Sequence, residues 1–397
     1  MNILMFTSRY GEGYGMGYSA YKEAEALRKG GHSVSVVHCD HRATRYNYPG
    51  IQFHYLPLPT PPGLGILIFS LRLWRMCKLI DVDNFDVLYL QSLEFGLLRL
   101  RPHRHKIFYF ARSTIKGTRA AQRRAGAHSL MQFVNDALLI FLENRCLQCA
   151  SKIFVKSSVM KGELQKYYGV QSDKVRTISG GIDSREFYRM SPDEVRKRRV
   201  RWSVPRDSFV VLYAGRIVPQ KGLRDLVVAS SFLRLSINRY LLLIAGEVTD
   251  RTYKKQLDRI IASHGLQKSV RFLGHVDQRE IAGLINIASC LASPSLYEPF
   301  GMINLQAALI GKPVILTGAT GALDILSGLE HVYVVRPQAP QEIESAILRV
   351  ANSPRETTTP LTTGQLSWDH VATKIAEEFK AARSAPDGRG SLPHETR

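Results

Sequence analysis

Short apolar runs alternate with longer amphipathic stretches along the first half of the chain. The runs are rich in Val, Ile, Phe and Tyr, which is typical of buried strands, and they lie at 2–8, 32–39, 86–92, 106–111, 152–157 and 174–179. After the first run come a Gly-rich loop and the helical pattern 18–29, which Gly30 and Gly31 end. A strand, a helix and a second strand in this order predict a parallel sheet with right-handed crossovers.

The same alternation begins again in the second half. It is preceded by a predicted linker helix over 191–202, with Ser191 as N-cap, Pro192 at the first helical position and Glu194 closing a capping box. We therefore predict an α/β protein with two doubly wound sheets and a cleft between them, where ligands bind at the carboxyl ends of strands. The predicted strands of this half lie at 209–215, 240–246, 270–274, 290–295 and 313–318.

Length and composition agree with two domains. A chain of 397 residues is too long for one ordinary core, and 45% hydrophobic with 22% charged residues is typical of a soluble globular protein. The apolar run 63–71 is far shorter than the roughly 20 residues that a spanning helix needs, and the start of the chain has no signal-peptide pattern. Five cysteines in a chain of this length fit a reducing compartment, so we expect a cytoplasmic protein.

The formal charge of +20 is unevenly distributed. No acidic residue occurs over 95–135, and nine Lys or Arg lie over 99–124, which predicts a basic face. The stretch 66–80 mixes three cations with Phe69 and Trp74, as a helix at a membrane interface does. Two interpretations of this stretch stay open, a helix that lies on an anionic membrane and an ordinary domain-surface helix. We find no motif of nucleic-acid-binding proteins and expect no nucleic-acid partner.

Two loops of the second half carry the candidate chemistry. Arg216 and Lys221 lie in AGRIVPQKG between a strand and a helix, so both can reach one anion. Two βα units later, SLYEPFG predicts a turn that leaves the N–H groups of a helix N-terminus free, and such helix ends bind anions. Gly301 lets a ligand approach this backbone closely. Together the two loops predict a diphosphate site, with cations on one side and N–H groups on the other.

These motifs resemble those of glycosyltransferase family 4. The resemblance in the second half lies in GRIVPQKG, LLIAGE, VRFLGHV, SPSLYEPFGMINLQAALIGKPVI and LSWDHVA, and in the first half it lies in 142–187. It covers nearly all of 1–380 in order. It implies the GT-B fold and a retaining enzyme that moves a sugar from a UDP- or GDP-sugar to a hydroxyl group. The acceptor that it implies is a glycan, a lipid-linked molecule or a small molecule.

The resemblance also divides the chain. It implies an acceptor-binding, Rossmann-like domain over 1–187 and a nucleotide-sugar-binding, Rossmann-like domain over 188–366. We expect the helix predicted over 367–383 to cross back to the first domain. The last residues, 384–397, are rich in Pro, Gly, Arg and Ser and are expected to form a disordered tail.

Roles for individual residues follow from the same resemblance. Arg216 and Lys221 match the pair that holds the donor diphosphate and stabilises it as the leaving group. Glu298 matches a glutamate that contacts the donor sugar, and these three are the expected catalytic residues. The other expected donor contacts are Gly15, Gly17, Gly246, Phe300, Gly301, Met302 and Gln306.

Two places depart from the family pattern. Gln306 stands where the family has a second glutamate that grips ribose hydroxyls, so we expect a weaker or altered ribose contact without loss of activity. Arg112 and Ser113 stand where the family often has a histidine, and we expect them to contact the sugar or the acceptor. A guanidinium stays protonated in proteins, so Arg112 cannot act as a base. In retaining members the leaving phosphate itself accepts the proton of the acceptor, so the reaction does not require this histidine.

An NAD-dependent oxidoreductase is the alternative function. GEGYGMG follows the first strand and Asp40 follows the second, as in a dinucleotide-binding fingerprint, but the glycines begin late and have the spacing G-x-G-x-G. This alternative also leaves the second half without a role. We expect no cofactor and no metal, since the nucleotide sugar is a co-substrate. The Asp-Val-Asp triplet 81–83 precedes a strand, where the metal motif of another glycosyltransferase fold follows one.

Overall fold

The computed structural model of the protein describes residues 1–11, 15–39, 48–57, 64–97, 101–124, 130–352 and 364–384. These residues form two parallel sheets with helices on both faces, and we refer to the residues around each sheet as the first and the second domain. This confirms the predicted fold class. The boundaries at 187 and 366 stay predictions, and the predicted tail lies outside the described residues beyond Ser384.

The first sheet has seven strands. They are β1 (Asn2–Thr7), β2 (Ser33–His38), β3 (Ile51–Tyr55), β4 (Val87–Leu90), β5 (Ile107–Ala111), β6 (Lys152–Val155) and β7 (Val175–Thr177). Their order in the sheet is β3-β2-β1-β4-β5-β6-β7, and every pairing is parallel. The helices of this domain are α1 (Gly15–Lys29), α2 (Leu64–Ile80), α3 (Ile115–Arg124), α4 (Leu130–Cys149) and α5 (Ser158–Tyr168).

The second sheet has six strands. They are β8 (Phe209–Ala214), β9 (Tyr240–Ala245), β10 (Val270–Gly274), β11 (Cys290–Ser293), β12 (Val314–Thr317) and β13 (Val332–Val335). Their order is β10-β9-β8-β11-β12-β13, again all parallel. The remaining helices are α6 (Pro192–Arg201), α7 (Leu223–Ser236), α8 (Arg251–Ser263), α9 (Gln278–Ile287), α10 (Met302–Ile310), α11 (Leu323–Leu326), α12 (Pro340–Asn352) and α13 (Trp368–Ser384).

Both sheets have a switch point at which the chain direction across the sheet reverses. It lies between β1 and β4 in the first sheet and between β8 and β11 in the second. Loops at the carboxyl ends of these strands diverge and leave a crevice, which is where doubly wound folds bind ligands. The strand order therefore places the loop after β8 and the turn after β11 side by side.

Helix α13 packs against the first sheet although it follows the second domain in sequence. Its buried face contributes Trp368, Ile375 and Phe379 to the apolar cluster that includes Phe108 of β5. The rings of Phe108 and Phe379 are in edge contact, with centroids 4.5 Å apart. The chain end thus ties the second domain back to the first.

Two edge strands, β3 and β13, are absent from the sequence-based prediction. Both are short, and neither has the uninterrupted burial of the central strands. An edge strand needs fewer apolar side chains, so its pattern resembles that of a loop. The capping box is confirmed, since the Ser191 side chain accepts from the Glu194 N–H and Glu194 accepts from the Ser191 N–H. No helix among the described residues is long and apolar enough to span a membrane.

Candidate active site

The second-domain side of the cleft is built from the loop after β8 and the turn after β11. Lys221 Nζ lies 2.5 Å from Glu298 Oε2, and each side chain is 15% exposed. Arg216 has an exposed side chain without an ion pair to any described residue, and its carbonyl accepts from the Tyr213 hydroxyl at 2.9 Å. The structure therefore joins two of the three predicted catalytic residues directly and keeps Arg216 available at the cleft.

Backbone hydrogen bonds of Glu298 fix the turn that leads into α10. Glu298 N–H donates to Ala319 O at 3.1 Å, and Glu298 O accepts from Gly321 N–H at 2.9 Å. Gly301 has a φ of 89° and is the N-cap of α10, and a Cβ there would lie 2.5 Å from Asn304 Nδ2. A side chain at this position is excluded by both the backbone conformation and the available space. The N–H groups of 300–302 find no acceptor among the described residues.

Other predicted donor contacts surround this turn. Gly246 lies so close to the loop after β8 that a Cβ would meet Gly215 O at 1.8 Å. Gln306 is 4% exposed on α10, and its amide makes no hydrogen bond within the described part of the chain. Beside it, the side chain of Asn304 and the hydroxyl of Thr320 are buried without a partner among the described residues. The turn thus holds donors and acceptors that no described protein group uses.

The first-domain side contains a buried charged network that begins at Arg112. Arg112 Nη2 donates to both oxygens of Glu23, at 3.1 and 3.2 Å, and to Gln91 Oε1 at 2.6 Å. Glu23 accepts further bonds from Gln91 Nε2 at 2.6 Å and from the Tyr89 hydroxyl at 3.2 Å. The Arg112 side chain is 8% exposed, and its Nη1 is buried without a partner among the described residues.

Lys156 follows β6 directly and is 6% exposed. Its Nζ lies 3.4 Å from Ser19 Oγ and has no ion pair within the described chain. The ammonium is 5.7 Å from the ring centre of Phe300, so this first-domain cation contacts the turn before α10. Burial, and then the neighbouring charge of Arg112, lower the pKa of Lys156 to about 7, against a smaller opposing effect of Glu23 and Glu298.

The two domains contact each other along one side of the cleft. The Tyr297 hydroxyl donates to Glu163 Oε2 at 2.8 Å, and Thr114 Oγ1 donates to the same oxygen at 2.6 Å. Burial raises the pKa of Glu163. Ser157 Oγ donates to Pro299 O at 2.7 Å, so a first-domain hydroxyl helps to hold the turn before α10.

A second contact closes the junction next to Ser157. Both the N–H and the hydroxyl of Ser158 donate to the carboxylate of Asp324, each at 2.6 Å. Ser158 is the first residue of α5, so the carboxylate also lies at a helix N-terminus, where negative charge is favourable.

The predicted glycine loop is described only in part. Gly15 begins α1 and is exposed, and Gly17 lies so close to the preceding loop that a Cβ would meet Tyr10 N at 3.2 Å. Ser113 is half-buried next to Arg112. Asp40, which the dinucleotide-binding alternative used, lies outside the described residues.

Two of the described cations of the basic segment, over 101–124, are paired and do not add to an exposed basic face. Arg112 turns into the buried network, and Arg119 pairs with Asp136 at 2.8 Å. Among the described residues no group of three His, Cys, Asp or Glu side chains is close enough to hold a metal ion. In the triplet 81–83 both aspartates are exposed at a 3-10 turn while Val82 is buried in the core, as expected for a surface segment before a strand.

Sequence analysis missed Glu23 and Lys156. Glu23 falls on the apolar face of α1, between Ala20 and Leu27, and a charge on such a face signals a buried partner. Lys156 follows an apolar strand directly, and the carboxyl end of a parallel strand is where site residues lie. The sequence pattern thus marked both residues, but it could not identify the groups that they contact, because those groups follow other strands.

Comparisons with known proteins agree with this architecture. The family model described as Glycosyltransferase Family 4 matches residues 14–186, and that described as Glycosyl transferases group 1 matches residues 194–361. An uncharacterized glycosyltransferase of Methanocaldococcus jannaschii is 26% identical over 90% of this chain and 92% of its own.

Solved structures support the same fold. Sucrose-phosphate synthase from Thermosynechococcus elongatus has a TM-score of 0.79 at 19% identity, over 97% of this chain and all of the other. Anabaena HepE in complex with UDP and glucose has a TM-score of 0.75 at 19% identity, over 95% and 99% of the two chains.

The fold and the two family models together define an enzyme that transfers a sugar, a glycosyltransferase with the GT-B fold. The chain belongs to glycosyltransferase family 4. Because both halves match glycosyltransferase models, the NAD-dependent oxidoreductase alternative has no remaining support.

Proposed function

We propose that the protein is a retaining glycosyltransferase that moves a sugar from a UDP- or GDP-sugar to a hydroxyl group of an acceptor. The observation that carries the proposal is the turn before α10, whose N–H groups face the cleft beside Lys221 and Arg216. A diphosphate needs both kinds of partner, cations and oriented N–H groups. HepE was crystallised with UDP and with UDP-glucose, which supports a nucleotide sugar as the donor.

In this proposal Arg216 and Lys221 bind the diphosphate and stabilise the negative charge that grows on it as the sugar leaves. Glu298, Phe300, Gly301 and Met302 then line the place of the sugar and the adjacent phosphate. Glu298 holds Lys221 in place before the donor binds and is exchanged for phosphate oxygens afterwards. Gln306 contacts the ribose as a neutral hydrogen-bonding group.

Retention is supported by the chemistry of the first-domain side. An inverting reaction needs a free base on the face of the sugar opposite the diphosphate. In the described part of that side, the carboxylate of Glu23 is already bound by Arg112, Gln91 and Tyr89. We therefore propose that an oxygen of the leaving diphosphate, rather than the carboxylate of Glu23, accepts the proton of the acceptor. The anomeric configuration of the product, read by proton NMR, tests this, and an inverted product contradicts it.

A screen of UDP- and GDP-sugars for donor hydrolysis identifies the donor and tests the site. We expect Arg216→Ala and Lys221→Ala each to lower turnover by at least about a hundredfold, as loss of a charge-stabilising group does. Lys255→Ala, an exposed cation on α8 of the same domain, is the matched control and keeps its turnover. Unchanged kinetics in both cleft variants contradict the proposed diphosphate site.

We also propose that the reaction needs no metal ion, because Arg216, Lys221 and the N–H groups supply the positive charge that a metal would supply. Turnover in EDTA should then equal turnover in Mg²⁺. A loss in EDTA that Mg²⁺ or Mn²⁺ restores contradicts this part of the proposal.

A membrane-bound acceptor is the partner that the surface of α2 supports. Phe69, Leu73 and Cys77 pack into the core, while Leu71, Trp74 and Leu79 are 50%, 47% and 86% exposed on the other side. The cations Arg72, Arg75 and Lys78 are exposed among these apolar side chains. Apolar side chains bordered by cations suit an anionic lipid surface, where each cation contributes roughly 1 kcal/mol.

Co-sedimentation with liposomes tests this contact. We expect binding to vesicles that contain about 30% phosphatidylserine at low salt and none to neutral vesicles, since the contact needs its cations as well as its apolar side chains. The variant Leu71→Ser/Trp74→Ser should lose binding while its donor hydrolysis stays unchanged. Equal sedimentation with and without anionic lipid favours a soluble acceptor and an ordinary surface role for α2.

A further inference from the structure

The first-domain side of the cleft holds more positive charge than its own carboxylate can neutralise. Arg112 and Lys156 lie there with Glu23, and Glu298 on the opposite side is already paired with Lys221. Ion pairs buried without full compensation are costly. Because Arg112 is paired with Glu23, the amino group of Lys156 is left without a carboxylate of its own, and a bound anion would stabilise its charged form.

The hydrogen-bonding groups that are left over point to the same conclusion. Arg112 uses only Nη2 for Glu23 and Gln91, and its Nη1 is buried without a partner among the described residues. Lys156 has three N–H donors and one described hydrogen bond, at 3.4 Å to Ser19. Two cationic groups with unused donors and no free acceptor match an oxyanion, because a carboxylate or phosphate offers only acceptors.

The backbone at Gly180 packs closely against Lys156 and α10. A Cβ at Gly180 would lie 3.2 Å from Lys156 Nζ and 2.6 Å from Met302 Sδ, so any side chain there would displace them. Lys156 therefore lies between the Arg112 network and the turn before α10, where the proposed function puts the transferred sugar. Arg112 Cζ and Lys156 Nζ lie 4.9 and 5.9 Å from the ring centre of the same side chain, Phe110, so one anionic group on the sugar or on the acceptor can contact both.

We propose that Arg112 and Lys156 form an oxyanion site that binds a carboxylate or phosphate group carried by the transferred sugar or by the acceptor. This inference rests on the proposed function for its location but adds the charge of a substrate. Its two cations belong to the first domain, whereas the proposed diphosphate site uses Arg216 and Lys221 of the second.

The test fills the diphosphate site first and then titrates a second anion. Wild-type protein saturated with UDP is titrated with inorganic phosphate and, separately, with glucuronate. Binding is measured by isothermal titration calorimetry and by the shift in melting temperature. We expect one further anion to bind, and Lys156→Met to weaken it by at least about tenfold, the effect of losing a hydrogen bond to a charged group. Lys152→Met, at the opposite end of β6, where the half-buried Lys152 donates to Asp173 O at 3.0 Å, is the matched control and leaves the affinity unchanged.

Proton uptake gives a second readout that a merely structural lysine would not produce. An anion next to Lys156 raises the pKa of its ammonium from about 7, so binding at pH 7.5 takes up a proton. Heats of glucuronate binding, a carboxylate that is already fully ionised at this pH, should differ between HEPES and Tris in the wild type and agree in Lys156→Met. Arg112 and Glu23 face Lys156 from the first domain and Glu298 from the second, and none of them changes in this variant.

Two arms then separate the sources of the anion. A higher kcat/KM for UDP-glucuronate than for UDP-glucose, lost in Lys156→Met, assigns the site to the sugar. Equal use of both donors, with faster transfer to a sugar 6-phosphate than to the parent sugar, assigns it to the acceptor. The proposal is wrong if phosphate and glucuronate bind Lys156→Met as tightly as the wild type, or if neither binds.

Failure of the proposed function gives a different result. If UDP and GDP do not bind, the diphosphate assignment is wrong, and the phosphate titration is repeated on the nucleotide-free protein. A site that depends on Lys156 but not on Arg216 still supports the oxyanion inference. Arg112→Met would leave the buried Glu23 with fewer partners, so it could lower stability as well as anion binding. The Lys156→Met variant is therefore the one that decides the proposal.

Discussion

The ion pair between Lys221 and Glu298 makes a prediction in which ligand affinity and turnover change in opposite directions. The lysine that should bind phosphate is bound by the carboxylate of Glu298 at 2.5 Å. Glu298→Gln removes that competitor and also removes a negative charge from the diphosphate site. We expect this variant to bind UDP more tightly than the wild type while it transfers the sugar more slowly, because the sugar contact of Glu298 is lost.

The burial of the pair sets the size of this effect. Exposed ion pairs contribute about 0.2–1 kcal/mol, and breaking a fully buried pair costs about 3–5 kcal/mol. Both side chains here are 15% exposed, so we place the interaction between these limits, at about 2 kcal/mol. Release of Lys221 should therefore lower the Kd of UDP by roughly tenfold to thirtyfold.

Isothermal titration calorimetry with UDP measures this directly. Lys221→Met should weaken binding, Glu298→Gln should strengthen it, and the exposed carboxylate variant Glu330→Gln should match the wild type. The free energy of unfolding, measured in denaturant titrations, should fall less in the double variant Lys221→Met/Glu298→Gln than the sum of the losses in the two single variants. The difference, which is the coupling energy of the pair, should be about 2 kcal/mol. The reasoning is refuted if Glu298→Gln binds UDP no better than the wild type, since Lys221 would then not be restrained by the carboxylate.

Three further changes test other parts of the structure. Asp324→Ala removes both hydrogen bonds to Ser158 at the domain junction. Small-angle scattering without nucleotide should then show a larger radius of gyration than that of the wild type. An unchanged radius contradicts a role of Asp324 in holding the two domains together. Gln306→Glu puts a carboxylate at a position that is 4% exposed, and its charged form is unfavourable there. Without UDP the variant should therefore be less stable than the wild type at pH 8 but not at pH 4. Its turnover should be retained, and loss of turnover contradicts the ribose role of Gln306. Burial raises the pKa of Glu143 to about 7, so the native state keeps a proton that the unfolded chain releases near 4.5. Wild-type stability should then fall by up to about 3 kcal/mol relative to Glu143→Gln as the pH rises from 4.5 to 7, and parallel pH profiles would rule this out.

Much of the fold was predictable because its signals are local. Central parallel strands are buried on both faces, so β1, β8 and β9 appear as uninterrupted apolar runs, and Gly or capping residues mark the helix ends between them. The edge strands β3 and β13 lack that signal, since one side of each faces no partner strand. The site residues of the second domain could be predicted for the same reason, because each lies in a short motif close after a strand, and their roles stay predictions.

The first-domain side of the site was different. Glu23, Gln91, Arg112 and Lys156 follow four different strands, and no local motif links them. Only the order β1-β4-β5-β6 in the sheet brings their side chains to one place.

The sequence alone determined the architecture, the linker helix and the cation and turn motifs of the second domain, since these depend on residues close together in the chain. Tertiary structure decided which charges meet. It paired Lys221 with Glu298 and buried Arg112 against Glu23, and it left Lys156 with a pKa lowered to about 7 beside them. Charge–charge energies depend on distance and on exclusion of water, and both are properties of packing between elements that are far apart in sequence.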